Sequence, residues 1–232
     1  MRQLFDILFS SRRADKTLKE LPPELLPDIL ALIDDEKVGR LIVRADPDDA
    51  VTFIDSLPEE RRERVLALLD PERQAAVREI INYPEGTVGR IATTDFMALS
   101  LTRRHRGAID KIRERGELEA FFYLYVVDDA GQLVGVVPIR NLVIAPPNRR
   151  LSDMMIADPV RANVFTDQEE AARLVSRYEL LALPIVDEAG RLEGIITVDD
   201  VIDIINEEST EDMYKMAGLA GRIASSRRSR AR

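Results

Sequence analysis

No cysteine occurs in these 232 residues, which removes disulfides, thiolate metal sites and cysteine nucleophiles. One histidine, His105, leaves too few nitrogen ligands for a zinc centre of the usual kind. Tryptophan is absent, and 12 Pro and 11 Gly are too few for a linker-like or fibrous chain. The longest unbroken apolar run, Ala120 to Val127, is eight residues. A helical membrane span needs roughly 20, so this chain is not expected to cross a bilayer by itself. The opening MRQLFDILFS places Asp6 inside its apolar stretch and offers no small-residue cleavage site, which argues against a signal peptide and for a cytoplasmic location. The spacings G-x-x-x-x-G-K, G-x-G-x-x-G and G-x-S-x-G are all missing. His105 stands among Arg103, Arg104 and Arg106 without a motif partner and reads as a surface residue. No acid, base and nucleophile constellation can be assembled, so the expectation is that the chain is not an enzyme.

What is present suits a folded protein: 45% apolar residues against 32% charged is too apolar for intrinsic disorder. The formal charge of −9 is unevenly spread. Residues 222–232 hold five arginines and no acid, so the rest of the chain carries −14. Such a body attracts cations and repels nucleic acid, which is not expected as a partner. The RIASSRRSRAR end reads as a solvated basic tail.

Two internal repeats organise the chain. In the first third, Asp46-Pro47, Leu57-Pro58 and Asp70-Pro71 precede acidic residues and then a helical apolar pattern. A capping carboxylate, a first-turn proline and an early acid are the grammar of a helix start. Ala50, Phe53 and Ile54, then Val65, Leu66, Leu68 and Leu69, then Ala76, Val77 and Ile80 are each spaced for one buried face. Residues 21–82 therefore predict short antiparallel helices stacked like a small solenoid, which presents surface more naturally than a catalytic cleft. The second repeat is sharper. Residues 126–143 align without a gap on 185–202, with six of 18 positions identical. Each copy reads as a β-branched strand, an Asp-x-x-Gly turn, a second strand from Gly135 or Gly194, and a helix. Helical stretches 106–115 and 168–178 precede the copies, which implies two α/β halves packed by pseudo-twofold symmetry.

The main chemical signal follows Thr197. Asp199, Asp200, Asp203, Glu207, Glu208, Glu211 and Asp212 put seven acids into 14 residues with no base. Four i, i+4 pairs of like charge oppose the helix by about 0.2–0.5 kcal/mol each. Taken alone, the stripe is either a solvated face stabilised by its apolar side (Val198, Val201, Ile202, Ile205) or a place for a divalent cation. Asp48 and Asp49, and Asp167, Glu169 and Glu170, are likewise ordinary first-turn acids or further members of a cation surface. Met213 and Met216 read as packing residues.

YPEGTVGRIATTDF, FFYLYVVDDAGQLVGVV, TDQEEAARL, LPIVDEAGRLEGIITVDDVID and TEDMYKMAG, spread over residues 45–219, resemble the cytosolic part of the MgtE family of magnesium channels, and the paired VVDxxGxLxG-type motif resembles a tandem of cystathionine-β-synthase-type (CBS) modules. The resemblance implies a mixed α+β and α/β fold class: an N-terminal helical superhelix-like array followed by a tandem CBS pair of βαββα type and a C-terminal connecting helix. The implied boundaries are an N-terminal extension 1–20, a helical domain 21–88, CBS modules 89–147 and 148–205, a connecting helix 206–220 and the basic tail 221–232. Also implied is a magnesium-sensing regulatory module, homodimeric through its CBS modules, whose acidic inter-domain faces are bridged by Mg²⁺. Its partner is a membrane-spanning channel half not contained in these residues, at the inner face of the cell membrane. By the same resemblance the metal positions are Asp48, Gly89 through its carbonyl, Asp167, Glu169, Glu179, Asp200, Asp203, Glu211 and Asp212. Tyr123, Arg140 and Thr197 are the residues implied for ATP or AMP in the module clefts. The chain departs from the family pattern at Thr52, where a second acid is common, at Glu179 in place of Asp, and at Pro138 and Asn141, which lack the hydroxyl and carboxylate that nucleotide-binding modules use. The alternative reading is an adenine-nucleotide-binding CBS regulator of another enzyme or transporter.

Overall fold

The computed structural model describes residues 14–19, 21, 25–45, 47–115 and 121–216, except the side chains at 15, 16, 19, 47, 48, 207, 211, 212 and 214–216. Asp46 and the basic tail lie outside the described residues. The chain divides into two compact units between Pro84 and Glu85.

In the N-terminal unit, helices α1 (Ala14–Lys19), α2 (Leu26–Leu30), α3 (Asp35–Arg44), α4 (Pro47–Asp55), α5 (Glu59–Leu66) and α6 (Pro71–Ile81) follow one another over short turns. The last four begin at residues 35, 47, 59 and 71, a constant step of 12. Asp34 caps α3 by accepting from the Lys37 N–H at 2.8 Å, and Asp70 caps α6 by accepting from the Arg73 N–H at 2.9 Å. A constant step brings the same position of each helix to the core: Leu41, Phe53, Val65 and Val77 are all buried. The helices pack on their next-but-one neighbours, α1 on α3, α3 on α5 and α4 on α6, as a stacked array requires.

Two arginines repeat the same step. Arg61 donates through Nη1 to the Leu30 carbonyl (2.6 Å), through Nη2 to the Ile33 carbonyl, and through Nε to Asp35 (2.6 Å). Twelve residues later Arg73 donates to Ile42 (2.8 Å) and Ala45 (2.5 Å), acceptors themselves displaced by 12. Each guanidinium thus satisfies carbonyls that a helix C-terminus leaves without intrahelical partners. Hydrogen bonds from Arg61 and Arg64 hold the Asp35 carboxyl below its ordinary 3.8.

The second unit contains the two α/β copies. After a four-residue helix α7 (Val88–Ile91), the first copy runs β1 (Ala98–Ser100), α8 (His105–Arg115), β2 (Tyr123–Val127), β3 (Leu133–Pro138), α9 (Ile139–Ile144). A short edge strand β4 (Ile156–Ala157) follows, and the second copy runs β5 (Ala162–Asn163), α10 (Gln168–Tyr178), β6 (Ala182–Val186), β7 (Leu192–Thr197), α11 (Val198–Met216). The sheets are ordered β1-β2-β3-β4 and β5-β6-β7. The helix, strand, strand, helix order read from the repeat is present. The leading strands β1 and β5, parallel to β2 and β6, are additions too short to show a period.

The repeat is geometric as well as sequential. Asp128 accepts from the Ala130 and Gln132 N–H groups, and Asp187 from those of Ala189 and Arg191, all at 2.8–2.9 Å. Gly131 and Gly190 both stand at φ 80°, a left-handed conformation that suits glycine. The two turns then bond to each other: Leu133 N–H to the Gly190 carbonyl (3.0 Å) and Leu192 N–H to the Gly131 carbonyl (3.2 Å). The outer edges are exchanged too. β4, which leads into the second copy, pairs with β3 of the first, while Thr93, ahead of the first copy, exchanges two hydrogen bonds with Ile195 of β7. Gly135 and Gly194 make room for these crossings; a Cβ on Gly194 would lie 2.9 Å from the Ala92 Cβ and 3.1 Å from the Thr93 carbonyl oxygen.

Side chains alternate along β2 as a pleat demands. Leu124 and Val126 join the layer under α8 and α9 with Ala108, Val137 and Leu142. Tyr125 joins a cluster from both copies, with Val136, Ala182, Val186 and Ile195, edge-on to Phe96 at 5.9 Å between centroids. Its hydroxyl is buried without a partner, and burial pushes its pKa above the ordinary 10. His105 departs from its reading as a surface residue: it is half-buried, with Nε2 2.8 Å from the Leu142 carbonyl and Nδ1 enclosed without a partner, tying the start of α8 to the end of α9.

Replacing Arg61 by Leu leaves buried carbonyls without donors and is expected to lower stability by about 2–4 kcal/mol in urea unfolding. Gly194→Ala should cost about 1–3 kcal/mol through overpacking against residues 92 and 93. Gly39→Ala, where the nearest atom is Leu68 Cβ at 3.7 Å, should be neutral or stabilising in the same assay.

Candidate functional site

Most of the acids singled out from the sequence lie on one helix pair, with Asp167 and Glu169 at one end of α10 and Glu179, Asp200 and Asp203 at the other. α10 and α11 pack against each other. α11 begins where Val198 N–H bonds the Leu181 carbonyl, just past the end of α10, so the two run antiparallel. Eleven residues make α10 about 16 Å long, so groups at its two ends cannot share an ion.

At the N-terminal end of α10, Asp167 is the cap, its carboxylate accepting from the N–H groups of Glu169 (2.9 Å) and Glu170 (3.4 Å). Glu169 pairs with Arg173 at 3.1 Å. Residues 86–89, which lead into and begin α7, dock here: Val88 N–H bonds the Thr166 carbonyl, Gly89 N–H the Val164 carbonyl (2.8 Å) and Gln168 N–H the Gly86 carbonyl (2.9 Å). Gly89 is buried in α7 beside this end. Thr93, four residues on, gives its N–H to Ile195, which leaves the Gly89 carbonyl outside any helical ladder. Gly89, Asp167 and Glu169 are thus brought into one neighbourhood.

At the other end, Glu179 is the C-cap of α10 at φ 51° and ψ 43°. Glutamate is an unusual occupant of that left-handed conformation, normally the place of Gly or Asn. Nothing in the sequence signals this backbone. Asp200 stands three residues into α11, where its carboxylate accepts from the Thr197 N–H (3.1 Å) and hydroxyl (2.5 Å), a helix-start arrangement of the capping-box kind. Thr197 is buried, and Asp199 and Asp203 are exposed.

Between the two ends lies a groove of about 440 Å³, with Glu169, Arg173 and Arg177 on the α10 side and Ile204, Ile205 and Glu208 on the α11 side. Sequence reading overlooked these arginines because they belong to α10. Arg177 also lies 5.6 Å from the Tyr178 ring centroid. Arg173 and Arg177 of α10 thus share this groove with Glu208 of α11. Among the described residues no three His, Cys, Asp or Glu side chains gather closely enough to hold an ion by themselves. The side chains of Asp48, Glu207, Glu211 and Asp212 lie outside the described residues; Asp48 is in the first turn of α4 and the other three are on α11.

The residues considered for a nucleotide sit where the copies meet. Tyr123 opposes Pro138 in the β2–β3 ladder, and its hydroxyl accepts from Leu181 N–H of the second copy at 3.4 Å. Arg140 is exposed at the start of α9, whose preceding Pro138 supplies no side-chain cap. Thr197 holds the equivalent place in the second copy.

Residues 1–86 match the MgtE intracellular N domain, and 88–148 and 151–207 each match the CBS domain. A solved structure, the cytosolic domain of the Mg²⁺ channel MgtE in complex with ATP, is 32% identical, with a TM-score of 0.77 over 83% of this chain and 79% of that one. The chain belongs to the MgtE family. The magnesium transporter MgtE of Thermus thermophilus is 38% identical over 162 residues, 68% of this chain and 35% of the relative. That of Bacillus subtilis is 34% identical over 199 residues, 85% of this chain and 44% of the relative. The chain therefore spans less than half the length of these MgtE transporters. No helix among its described residues is long and apolar enough to cross a membrane. The helical array and tandem CBS pair read from the sequence are the architecture of the MgtE cytosolic domain.

Asp200→Ala removes both acceptor contacts to Thr197 and should cost about 1 kcal/mol. Asp167→Ala should cost a similar amount. Asparagine at either position retains a capping oxygen, so in thermal melts without added metal the Asn variants should fall by less than the Ala variants.

Proposed function

We propose that this chain is the magnesium-sensing regulatory module of an MgtE-type transporter, cytoplasmic and acting at the inner face of the membrane. Family membership supports the reading, as does the docking of residues 86–89 along 164–168, which brings Gly89 near the start of α10 where Asp167 and Glu169 stand. Mg²⁺ keeps most of its water and needs one or two carboxylates, so a sparse donor set suits it where a closed cage of protein ligands would not. Gly89, Asp167 and Glu169 would hold one ion. Glu179, Asp200 and Asp203 would hold another at the far end of α10. Asp48, Glu211 and Asp212 remain part of the proposed set, as do the domain limits 21–88, 89–147, 148–205 and 206–220. Bound ions offset repulsion among carboxylates, so magnesium favours whichever conformation brings those carboxylates closest. That differential binding is what a gate requires. A membrane-spanning half would carry the transported ion. Relatives that are transporters support a regulatory role with no reaction catalysed.

The proposed assembly is a homodimer through the CBS modules. In its favour, Ile202 and Met213, three turns apart on α11, both expose apolar side chains. A second ligand is proposed because the solved relative holds ATP. Tyr123, Arg140 and Thr197 are the contacts available here. Asn141 and Pro138 weaken the first cleft, and Asp200 already engages the Thr197 hydroxyl in the second.

Thermal melts over a magnesium titration test the reading. At ten times the dissociation constant, about 1.4 kcal/mol of added stability should raise Tm by about 3–5 °C. The variant with Asp167→Asn and Glu169→Gln should respond less. No response to Mg²⁺ together with a clear response to ATP or AMP would make the chain a nucleotide-responsive CBS regulator instead.

A further inference from the structure

The pseudo-equivalent helices α8 and α10 begin with opposite charge. α10 opens on Asp167, Glu169 and Glu170, as the positive end of a helix dipole favours. α8 has no acid in its first turn and is entered through Arg103 and Arg104, with Arg106 inside it. The fold adds two more arginines to that place. Residues 103–106 lie along 147–151 through His105 N–H to the Arg149 carbonyl (2.8 Å), Leu151 N–H to the Arg103 carbonyl (3.0 Å) and an antiparallel bridge between Arg104 and Arg150. Like charges directly opposite in a bridge are destabilising. All five arginines are exposed, and none is ion-paired to a carboxylate among the described residues. Arg104 and Arg149 donate to the carbonyls of Asn148 and Asp153 at 3.0 Å. The Asp153 carboxylate accepts from the Arg150 N–H and the Ser152 hydroxyl. A protein of net charge −9 thus maintains a concentrated basic surface against both its helix dipole and its own cross-strand repulsion.

Beside it stand the two most exposed large apolar residues described, Val143 at 70% and Ile144 at 82%. They end α9, whose Leu142 carbonyl is held by His105, and the chain runs from Ile144 over Pro146 and Pro147 into Arg149 and Arg150. Guanidinium groups next to aliphatic tips are the composition of a surface that rests at the phosphate level of a bilayer and buries shallow apolar contacts below it. Residues 103–106 and 143–150 contain no Phe, Tyr or Trp to stack on bases, which disfavours single-stranded RNA as the occupant.

We propose that this face of the first CBS module is a docking surface for an anionic bilayer, with Arg103, Arg104, Arg106, Arg149 and Arg150 against lipid phosphates and Val143 and Ile144 at the headgroup boundary. The surface is separate from the acids proposed for magnesium. It relies on the transporter reading only for the nearness of a membrane.

Flotation with lipid vesicles in the presence of chelator tests it without reference to metal. The full chain is used with the tail arginines 222, 227, 228, 230 and 232 changed to Gln, which removes their separate attraction. It should float with vesicles containing phosphatidylglycerol, stay behind with phosphatidylcholine alone, and be released by high salt. Arg104→Gln with Arg150→Gln should lower partitioning by about twenty-five-fold, at about fivefold per arginine. Val143→Ser with Ile144→Ser should lower it while keeping the salt dependence. Unchanged flotation of the double arginine variant, with its thermal melt intact, would overturn the proposal. So would loss of RNA-oligonucleotide binding in that variant while flotation stays the same, which would mark the surface as an RNA site.

Discussion

Neither α/β copy can satisfy its own sheet edge, and the rest of the second unit follows from that. A buried backbone N–H or carbonyl without a partner costs as much as a lost hydrogen bond. Here the Leu133 and Leu192 N–H groups are satisfied only by the carbonyls of Gly190 and Gly131 in the opposite copy. The outer edges are met the same way, β3 by β4 and β7 by Thr93. These exchanges fix the pseudo-twofold relation. They place Tyr123 against Leu181 and seat Gly89 beside Asp167, so the clefts and the acidic end of α10 are products of edge pairing.

Much of this was open to a sequence reader because repetition survives as spacing. The gapless match of 126–143 with 185–202 carries turn geometry with it: Asp128 and Asp187 are identical because the same Asx-type turn needs the same acceptor. The solenoid was legible from Asp-Pro starts, though its 12-residue step becomes plain only when Pro58 is seen to hold the place that Asp34 and Asp70 hold elsewhere. Other features left no local trace. Arg61 and Arg73 look like surface charges until their acceptors, 28 and 31 residues earlier, are known. β1 and β5 are too short to show a period. The left-handed Glu179 runs against its own propensity, which is the kind of conflict that functional positions tolerate.

The acids illustrate a different limit. At a helix start, the carboxylate that caps the backbone and the carboxylate that coordinates a hydrated cation are the same residue type in the same place. Asp167 and Asp200 both serve as caps in this structure, and capping uses only part of a carboxylate's four lone-pair directions. A cap also restricts the side chain, so an ion that arrives later meets a donor whose orientation has already been ordered. Capping and the proposed ion binding are therefore compatible at these positions: the backbone bonds that begin α10 and α11 order these two carboxylates whether or not an ion is present.

Charge divergence between the two copies carries this logic to its end. The two halves share the Asp-x-x-Gly turn, the strand register and the bulge between residues 126 and 127 or 185 and 186, but differ at the entry to their first helices. Packing does not demand the difference, since both helices cover the same kind of sheet face. Helix electrostatics would favour acid at both. The acidic entry of α10 is what the dipole prefers and needs no further cause, whereas the arginines before α8 are maintained against the dipole and against each other across the 104–150 bridge. The proposed bilayer contact accounts for this difference, because lipid phosphates would relieve the repulsion among five guanidinium groups that lack a carboxylate partner among the described residues.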